Sequence, residues 1–502
     1  MKARNRLNRR EFVRTTTMAA AAVTLSPAFL AGCKNRPVLM KRILGRTGFA
    51  VTTFGLGGQA SIQWTPEGVD PVAIILKAFD LGINYFDTSN LYGPSQLNFG
   101  KAFAKLNLIP GKPGYDENLR KSIFLTSKTH LRIAKGNRDI PGVNNWTNGD
   151  PASYTVDDLK RSLSQIFGDG SGNYPEGAYL DMVLFHNLNT MQEVDAIYTG
   201  IDDTNPDMET IGALAALRDY RDGTNLTGLN PKNEKIIHHI GFSGHHDPSV
   251  NMYMIQKDRN NLLDAMLVAI NANDKLMFNM QYNVIPLAKA KNMGVIGMKV
   301  FADGAMYTKP AQWSNRPEHV VHTVGSPDLP SSKLIQYSLT TPGVDTVIIG
   351  IGHISENDNE CQLVQNLKAA QIMPDGLTSQ ERLEIEKIAA KVKEGRTNYF
   401  QLPAISLTAP GEVKATQNIS ENIRKITVAW STAYAADAPL KTYQILRDGE
   451  KVYEQEAVPQ LTTDLFEWSE IVADNKKHTY SVKVTDEAGR IAESPAGEVS
   501  VV

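Results

Sequence analysis

The chain has 502 residues, too many for one ordinary domain, and its 42% hydrophobic and 21% charged residues are ordinary for a soluble globular protein. The formal net charge of −2 hides an asymmetry: residues 1 to 32 carry Lys2, Arg4, Arg6, Arg9, Arg10 and Arg14 against Glu11, a local +5, which leaves about −7 for the rest. An acidic body without a basic run argues against a nucleic-acid partner, and two cysteines, Cys33 and Cys361, make no disulfide framework.

The first element is a leader. "NRREFVR" (8 to 14) precedes a weakly apolar run of roughly 15 residues, too short to span a bilayer comfortably. The arginine pair before Phe12 resembles a twin-arginine signal, and "LAGC" (30 to 33) resembles a lipobox that leaves Cys33 as the lipidated first residue. The expectation is an exported protein, periplasmic or at the cell surface, held to a membrane by acyl chains at Cys33.

From about 41 to 370, short β-rich runs alternate with amphipathic stretches. The runs are "VTTFGLG" (51 to 57), "INYFD" (83 to 87), "SIFLTSK" (122 to 128), "LDMVLFH" (180 to 186), "IIHHIGFS" (236 to 243), "DAMLVAIN" (264 to 271), "GVIGMKV" (294 to 300) and "VDTVIIG" (344 to 350). Between them, "PVAIILKAFDLG" places Pro71 in a first helical turn and Gly82 at the end, and "TVDDLKRSLSQIFG" opens on a capping-box-like pair, Thr155 and Asp158. Eight strand–helix units in series predict an α/β fold, a (β/α)8 TIM barrel. An open doubly wound sheet usually offers a GxGxxG fingerprint after its first strand, and "FGLGGQAS" (54 to 61) lacks that spacing.

After a helix capped by Thr378 and Glu381 and ending near Gly395, "LPAISLTAPGEVKA" reads as a linker and the rest is β. "RDGEKV" holds the Asp-Gly signal of a tight hairpin, and Trp430, Tyr443 and Tyr480 fall at core positions of a small all-β sandwich. The expected organisation is a signal peptide with lipobox over 1–33, the barrel over 34–404, and a fibronectin type III-like sandwich over 405–502. A spacer or docking role, with glycan or protein contact, suits the last.

A barrel of this kind carries its site at the C-terminal ends of the strands. There stand Asp87 after strand two with Tyr92 in its loop, Lys128 after strand three, and His186 after strand four. A phenol of lowered pKa gives a proton to a developing alkoxide, and a nearby ammonium favours the phenolate. A carboxylate keeps the buried lysine charged, and an imidazole fixes the carbonyl oxygen. Singly, Asp87 reads equally as a helix cap and Tyr92 as half-buried packing. Lys128 reads as an exposed strand end, and His186 as a satisfied polar residue.

"GINYFDTSNLYGPS…LTSK…LFHN" is similar to the aldo/keto reductases, barrel-shaped nicotinamide-dependent oxidoreductases. The resemblance covers about 41 to 370. It implies Tyr92 as general acid/base, Lys128 as the group lowering its pKa, Asp87 as the lysine's partner and His186 as the substrate-orienting donor. On the cofactor side it implies Ser243, Asn271, Met298, Lys299, Gly350 and His353. Three positions depart from the family: Gly244 stands where an Asn is usual, Leu267 for a Gln, and Met298 for a stacking Tyr. "IIGIGHISENDNE" lacks the Arg or Lys that clamps a 2′-phosphate, so NADP and NAD both stay open.

The function expected is hydride transfer between a nicotinamide cofactor and a small carbonyl or alcohol, a sugar among the candidates. The alternative is a non-catalytic carbohydrate-binding lipoprotein on the same scaffold. His130, His186, His245 and Asp247 could be drawn as a zinc site of a barrel hydrolase, but no HxH lies at the first strand and no HExxH anywhere, so no metal is expected. Trp64 and Trp146 lie in loops near the predicted mouth, where aromatics stack on sugar rings or pack the loops down.

Overall fold

The computed structural model describes residues 38–499. The predicted twin-arginine signal and Cys33 lie outside the described residues. Among those described, no helix is long and apolar enough to cross a membrane.

A hairpin of β1 (Lys41–Ile43) and β2 (Ala50–Thr52) comes first. The strands β3 (Phe54–Gly57), β4 (Tyr85–Asp87), β5 (Phe124–Thr129), β7 (Leu180–Phe185), β9 (Ile237–Gly244), β10 (Ala265–Ala269), β11 (Gly294–Met298) and β12 (Thr346–Ile349) follow, each on a predicted run, with β5 and β9 one residue longer at their C-terminal ends. They pair in parallel and in sequence order, and β12 closes on β3 to complete an eight-stranded barrel. The small pair β6 (Ile133–Lys135) and β8 (Ile211–Gly212) lies outside it.

Strand alternation makes two cores. Tyr85, Phe124, Met182, Leu184, Leu267, Ile296 and Met298 fill the barrel, with Leu44 and Val51 of the hairpin region joining them. The larger cluster, including Phe86, Phe99, Leu163, Phe185, Phe242 and Val347, lies between the strands and the surrounding helices. The helix Pro71–Asp80 starts as predicted, with proline in its first turn and Asp70 accepting from the amides of Val72 and Ala73. The helix Thr155–Phe167 corrects the predicted cap. Asp157 accepts from the Tyr154 amide at 2.8 Å, whereas Thr155 bonds the carbonyls of Leu131 and Ile133, and Asp158 turns inward. Thr378 and Glu381 cap the last barrel helix reciprocally.

Beyond residue 410 the structure is antiparallel. A three-stranded sheet, β13 (Gly411–Ser420), β14 (Ile423–Ser431) and β17 (Phe466–Val472), faces a five-stranded one built from β15 (Leu440–Arg447), β16 (Glu450–Glu456), β18 (His478–Asp486), β19 (Ile491–Glu493) and β20 (Gly497–Val499). Trp430, Tyr443 and Tyr480 are buried in their shared core. Asp448 and Gly449, both with positive φ, make the β15–β16 turn. The sheets are joined to the barrel by Asn283, whose amide donates to the Ala435 carbonyl (3.0 Å) and accepts from the Ala435 amide (2.8 Å), and by Asn279, which donates to Ala436.

The segment between the last barrel helix and the sandwich is more than a linker. Asn398 and Asn271 exchange amide hydrogen bonds of 2.9 and 3.0 Å, Gln401 donates to Asp274, and Phe278 donates to the Leu402 carbonyl. Residues 397–403 thereby close over the loops that follow β9 and β10.

Candidate active site

Asp87 ends β4, Lys128 lies in β5, and His186 directly follows β7. The chain returns Tyr92 to this point because its loop is sewn to β5: the Thr88 amide donates to Thr126 O (2.8 Å) and the Asn90 amide to Lys128 O (3.2 Å). Asn90 Nδ2 also donates to Asp158 O and Ser162 Oγ, which ties the loop to the helix Thr155–Phe167.

The four predicted side chains meet. The Lys128 ammonium donates to the Asp87 carboxylate, to Thr88 O at 2.9 Å and to the Tyr92 hydroxyl at 3.3 Å. The Tyr92 hydroxyl is 3.5 Å from His186 Nε2. Ser89 Oγ accepts from the Leu91 amide, so its own proton is free for His186 Nδ1 at 3.1 Å. The neutral ring then carries its hydrogen on Nε2, facing the phenol. The carbonyl at the end of this strand is gripped by a pair the sequence did not announce. Arg132 donates to His186 O (2.7 Å), to Asn187 O and to Glu193. Both charges of that pair are buried.

Electrostatics correct one expectation. On balance the Tyr92 phenol is pushed well above its ordinary value, by burial first and then by the Asp87 carboxylate, which together outweigh the pull of the Lys128 ammonium. Burial also lowers the lysine and raises the aspartate against their mutual attraction. His186 is held neutral by burial and then by the charge of Lys128. At neutral pH the site therefore holds a loaded proton donor beside a neutral imidazole donor.

Asp158, turned inward, accepts from Thr129 (2.9 Å) and Thr147 (2.8 Å), fixing the loop that carries Trp146. Burial raises its carboxyl to about 6 from 3.8. The folded state then holds a proton that the unfolded state has released, so this group's contribution falls as pH rises from about 4 through about 6. Asp158→Asn should flatten the dependence of unfolding free energy on pH across that interval, by on the order of 2–3 kcal/mol relative to the unaltered chain; parallel curves for the two proteins in chemical denaturation would contradict it.

From Tyr92 a cleft runs between the ends of β3, β11 and β12. Met298, Lys299 and Gly350 line it, together with Leu267, Gly58, Phe301 and Ser314. At Gly350 a Cβ would stand 3.0 Å from that of Ala60, so glycine keeps this wall open. The Lys299 ammonium makes no hydrogen bond among the described residues. It stands 4.6 Å from the Trp313 ring centre, and burial lowers it. Lys299, Ala302 and Asp303 all have positive φ, a strained turn of the kind found at functional sites.

Three predicted cofactor residues are placed differently. Asn271 is spent on Asn398 and on the carbonyl of Lys299 (2.9 Å), so it props the strained turn from behind. Ser243 is buried with Oγ accepting from the Asn187 amide, which leaves its proton to give away. His353 is exposed, 6.2 Å from the parallel ring of His322. A nucleotide nonetheless suits the cleft. Met298 and Leu267 supply an apolar floor beside Tyr92, the glycine wall allows close approach, and Lys299 is an ammonium without a hydrogen-bonding acceptor.

Gly244 has a structural cause. A Cβ there would lie 2.0 Å from Asn251 Oδ1 of the helix Pro248–Lys257, so that amide fills the space. Gly244→Asn should destabilise the chain by about 1–3 kcal/mol, as overpacking does. Asn251→Gly in the same chain should recover most of the loss, and equal melting temperatures for the single variant and the unaltered protein would refute the clash.

His130, His186 and His245 form no metal site: among the described residues no group of three or more His, Cys, Asp or Glu side chains is placed to hold an ion. Asp247 caps a helix, accepting from the Ser249 amide.

The aldo/keto reductase family model matches residues 53–374. L-galactose dehydrogenase of Arabidopsis thaliana is 23% identical over 367 residues, 70% of this chain and 95% of the plant protein. The uncharacterized oxidoreductase YqkF of Bacillus subtilis is 24% identical over 351 residues, 66% of this chain and 91% of its own length. Among solved structures, an aldo-keto reductase of Bombyx mori in complex with NADP has a TM-score of 0.43 at 16% identity, covering 70% of this chain and 94% of that one.

Proposed function

Since the chain belongs to the aldo/keto reductase family, we propose that it is an oxidoreductase that moves a hydride between a nicotinamide nucleotide and a carbonyl or alcohol carbon, with Tyr92 as the proton donor and acceptor. The observation that carries this reading is the convergence of Lys128 and His186 on the Tyr92 hydroxyl, at 3.3 and 3.5 Å, at the end of a cleft lined by Met298, Lys299 and Gly350. Met298 and Leu267 would hold the nicotinamide face, and Lys299 the diphosphate. The nicotinamide ring, when bound, gives or takes the hydride.

The residues do the rest. His186 Nε2–H and the Tyr92 hydroxyl orient the carbonyl oxygen, and Tyr92 passes its proton to that oxygen as negative charge grows on it. The Lys128 ammonium, 3.3 Å from the phenol oxygen, stabilises the phenolate left behind. In the opposite direction the phenolate accepts the alcohol proton. Titration of the full chain with NAD and with NADP, followed by calorimetry, tests the reading. Saturable binding of either supports it, and binding of neither, with none carried through purification, removes it.

One observation favours a second reading, a carbohydrate-binding barrel without turnover. Leu267 and Met298 are apolar where a nicotinamide carboxamide wants partners, and the Asn271 amide is turned away.

A further inference from the structure

One wall of the cleft is a long loop. Between β11 and the helix Ser331–Leu339 the regular parts of the chain are two 3-10 turns, Ala302–Gly304 and Pro317–His319. From this stretch Phe301, Asp303, Ser314, Val320, Val321 and Val324 line the cleft. A loop of such length inside a compact domain usually has a task. It crosses from the β11 side of the cleft to the β12 side. A Cβ on Gly352, just after β12, would stand 2.1 Å from the Val321 carbonyl oxygen, and the Val324 amide donates to Gln362 at 3.0 Å.

Little apolar packing holds this loop down. From residue 310 to residue 328 no side chain is buried. A stretch with so few buried contacts opens readily unless polar groups tie it. The ties converge on Asp303. Its carboxylate accepts from the Lys309 ammonium at 2.6 Å and from the amide and the hydroxyl of Ser314, each at 3.1 Å.

Two further ties come from the segment that leads to the sandwich. The Tyr399 hydroxyl donates to Asp303 at 3.3 Å. The Lys393 ammonium donates to the carbonyls of Ala305 (2.5 Å) and Tyr307 (2.6 Å), charge-assisted bonds of the stronger kind. Both residues lie beyond 53–374, the stretch that the family model matches. Lys393 is delivered by a strained turn. Lys393 and Glu394 have φ of 49° and 57°, a conformation unfavourable to residues with a Cβ, which persists where contacts impose it. Thr397, between the two ties, accepts from the Asn273 amide at 2.8 Å, which fixes the segment to the loop after β10. Neither tie is needed to carry the chain from the barrel to the sandwich.

Resting on the reading of the cleft as a nucleotide site, we infer that Lys393 and Tyr399 lock the loop 301–324 over the bound nucleotide, which is thereby a resident group, slow to exchange with solvent. Both are positioning residues. They act on the wall of the cleft through Ala305, Tyr307 and Asp303.

The test reads release and not turnover. Full-length protein is loaded with NADH or with NADPH and chased with a large excess of the oxidised nucleotide, and the loss of bound-nucleotide fluorescence is followed in time. Lys393→Met, Lys393→Arg and Tyr399→Phe are compared with the parent. Lys391→Met, an exposed lysine at the end of the same helix, is the control. Tyr399→Phe keeps the ring that packs against Trp313 and Phe400, so it removes the tie and leaves the packing. The parent should release nucleotide on the order of minutes. Lys393→Met should release it about tenfold faster and Tyr399→Phe about threefold faster, with Lys393→Arg nearer the parent and the control unchanged. The inference is overturned if the parent releases nucleotide within about a second. It is overturned equally if Lys393→Met and Tyr399→Phe release no faster than the control, whatever their melting temperatures, since the ties would then serve the fold alone. Either result leaves the oxidoreductase standing. A parent that takes up neither nucleotide removes both readings.

Discussion

Replacing Tyr92 with phenylalanine should lower turnover by about 10²–10⁴-fold, the usual share of a positioned acid or base, while nucleotide affinity stays within about a factor of two. The variant removes one oxygen and keeps the ring, which packs edge-on to His186 at 5.5 Å between centres. What is lost is the hydroxyl that Lys128 and His186 share. The raised pKa of the phenol adds a second expectation. Burial and Asp87 keep the proton on Tyr92 well beyond neutrality, so carbonyl reduction should be flat between about pH 6 and 9. Alcohol oxidation, which needs the phenolate, should rise with pH over the same interval. Steady-state kinetics with NADH and NADPH against an aromatic aldehyde would measure both. A Phe variant that keeps more than half of the parent kcat would end the assignment.

Asp87→Asn should be the most destabilising single change at the site. Asp87 and Lys128 are each 1% exposed, and the substitution leaves an ammonium buried without its counterion, a loss of about 3–5 kcal/mol. The direction with pH is set by the lysine. Burial already lowers its pKa, and without Asp87 nothing opposes the shift. The unfolded chain then binds more protons than the folded one, so the deficit should be large near pH 7 and shrink as pH approaches the ordinary lysine value of about 10.5. Chemical denaturation at a series of pH values would show it. Lys128→Met added to Asp87→Leu should regain much of the stability and none of the activity, because a paired charge replaced by apolar groups of similar size costs little. A melting temperature for Asp87→Asn within a degree of the parent at pH 7 would contradict the account.

The barrel and the four residues at its mouth were legible because each leaves a local mark. A buried parallel strand is a short apolar run, and its last residue points at the site whatever the loops do. What could not be read depends on neighbours distant in sequence. Asn271 looks like a cofactor ligand until Asn398, from the far side of the last helix, takes its amide. Gly244 looks like a lost ligand until Asn251 is seen in its place. Asp157 and Asp158 are adjacent acids, and only the packing of the loop through Thr147 decides which caps the helix and which is buried. The direction of the Tyr92 shift was misjudged for the same reason. A sequence shows which charges are near in kind, but not how much water burial takes away. Arg132 and Glu193 left no mark, since a lone Arg and Glu sixty-one positions apart are ordinary.

The segment 397–403 has a consequence for how the protein is made. His246 Nδ1 lies 3.3 Å from the Phe400 carbonyl, the Leu402 amide reaches His246, and Tyr399 and Phe400 stand against Trp313. The mouth is therefore finished by residues synthesised about a hundred positions after β11. A nascent chain that has released all eight staves from the ribosome still has an open rim, and competence for ligand arrives only when residues 397–403, just ahead of the C-terminal sheets, have emerged.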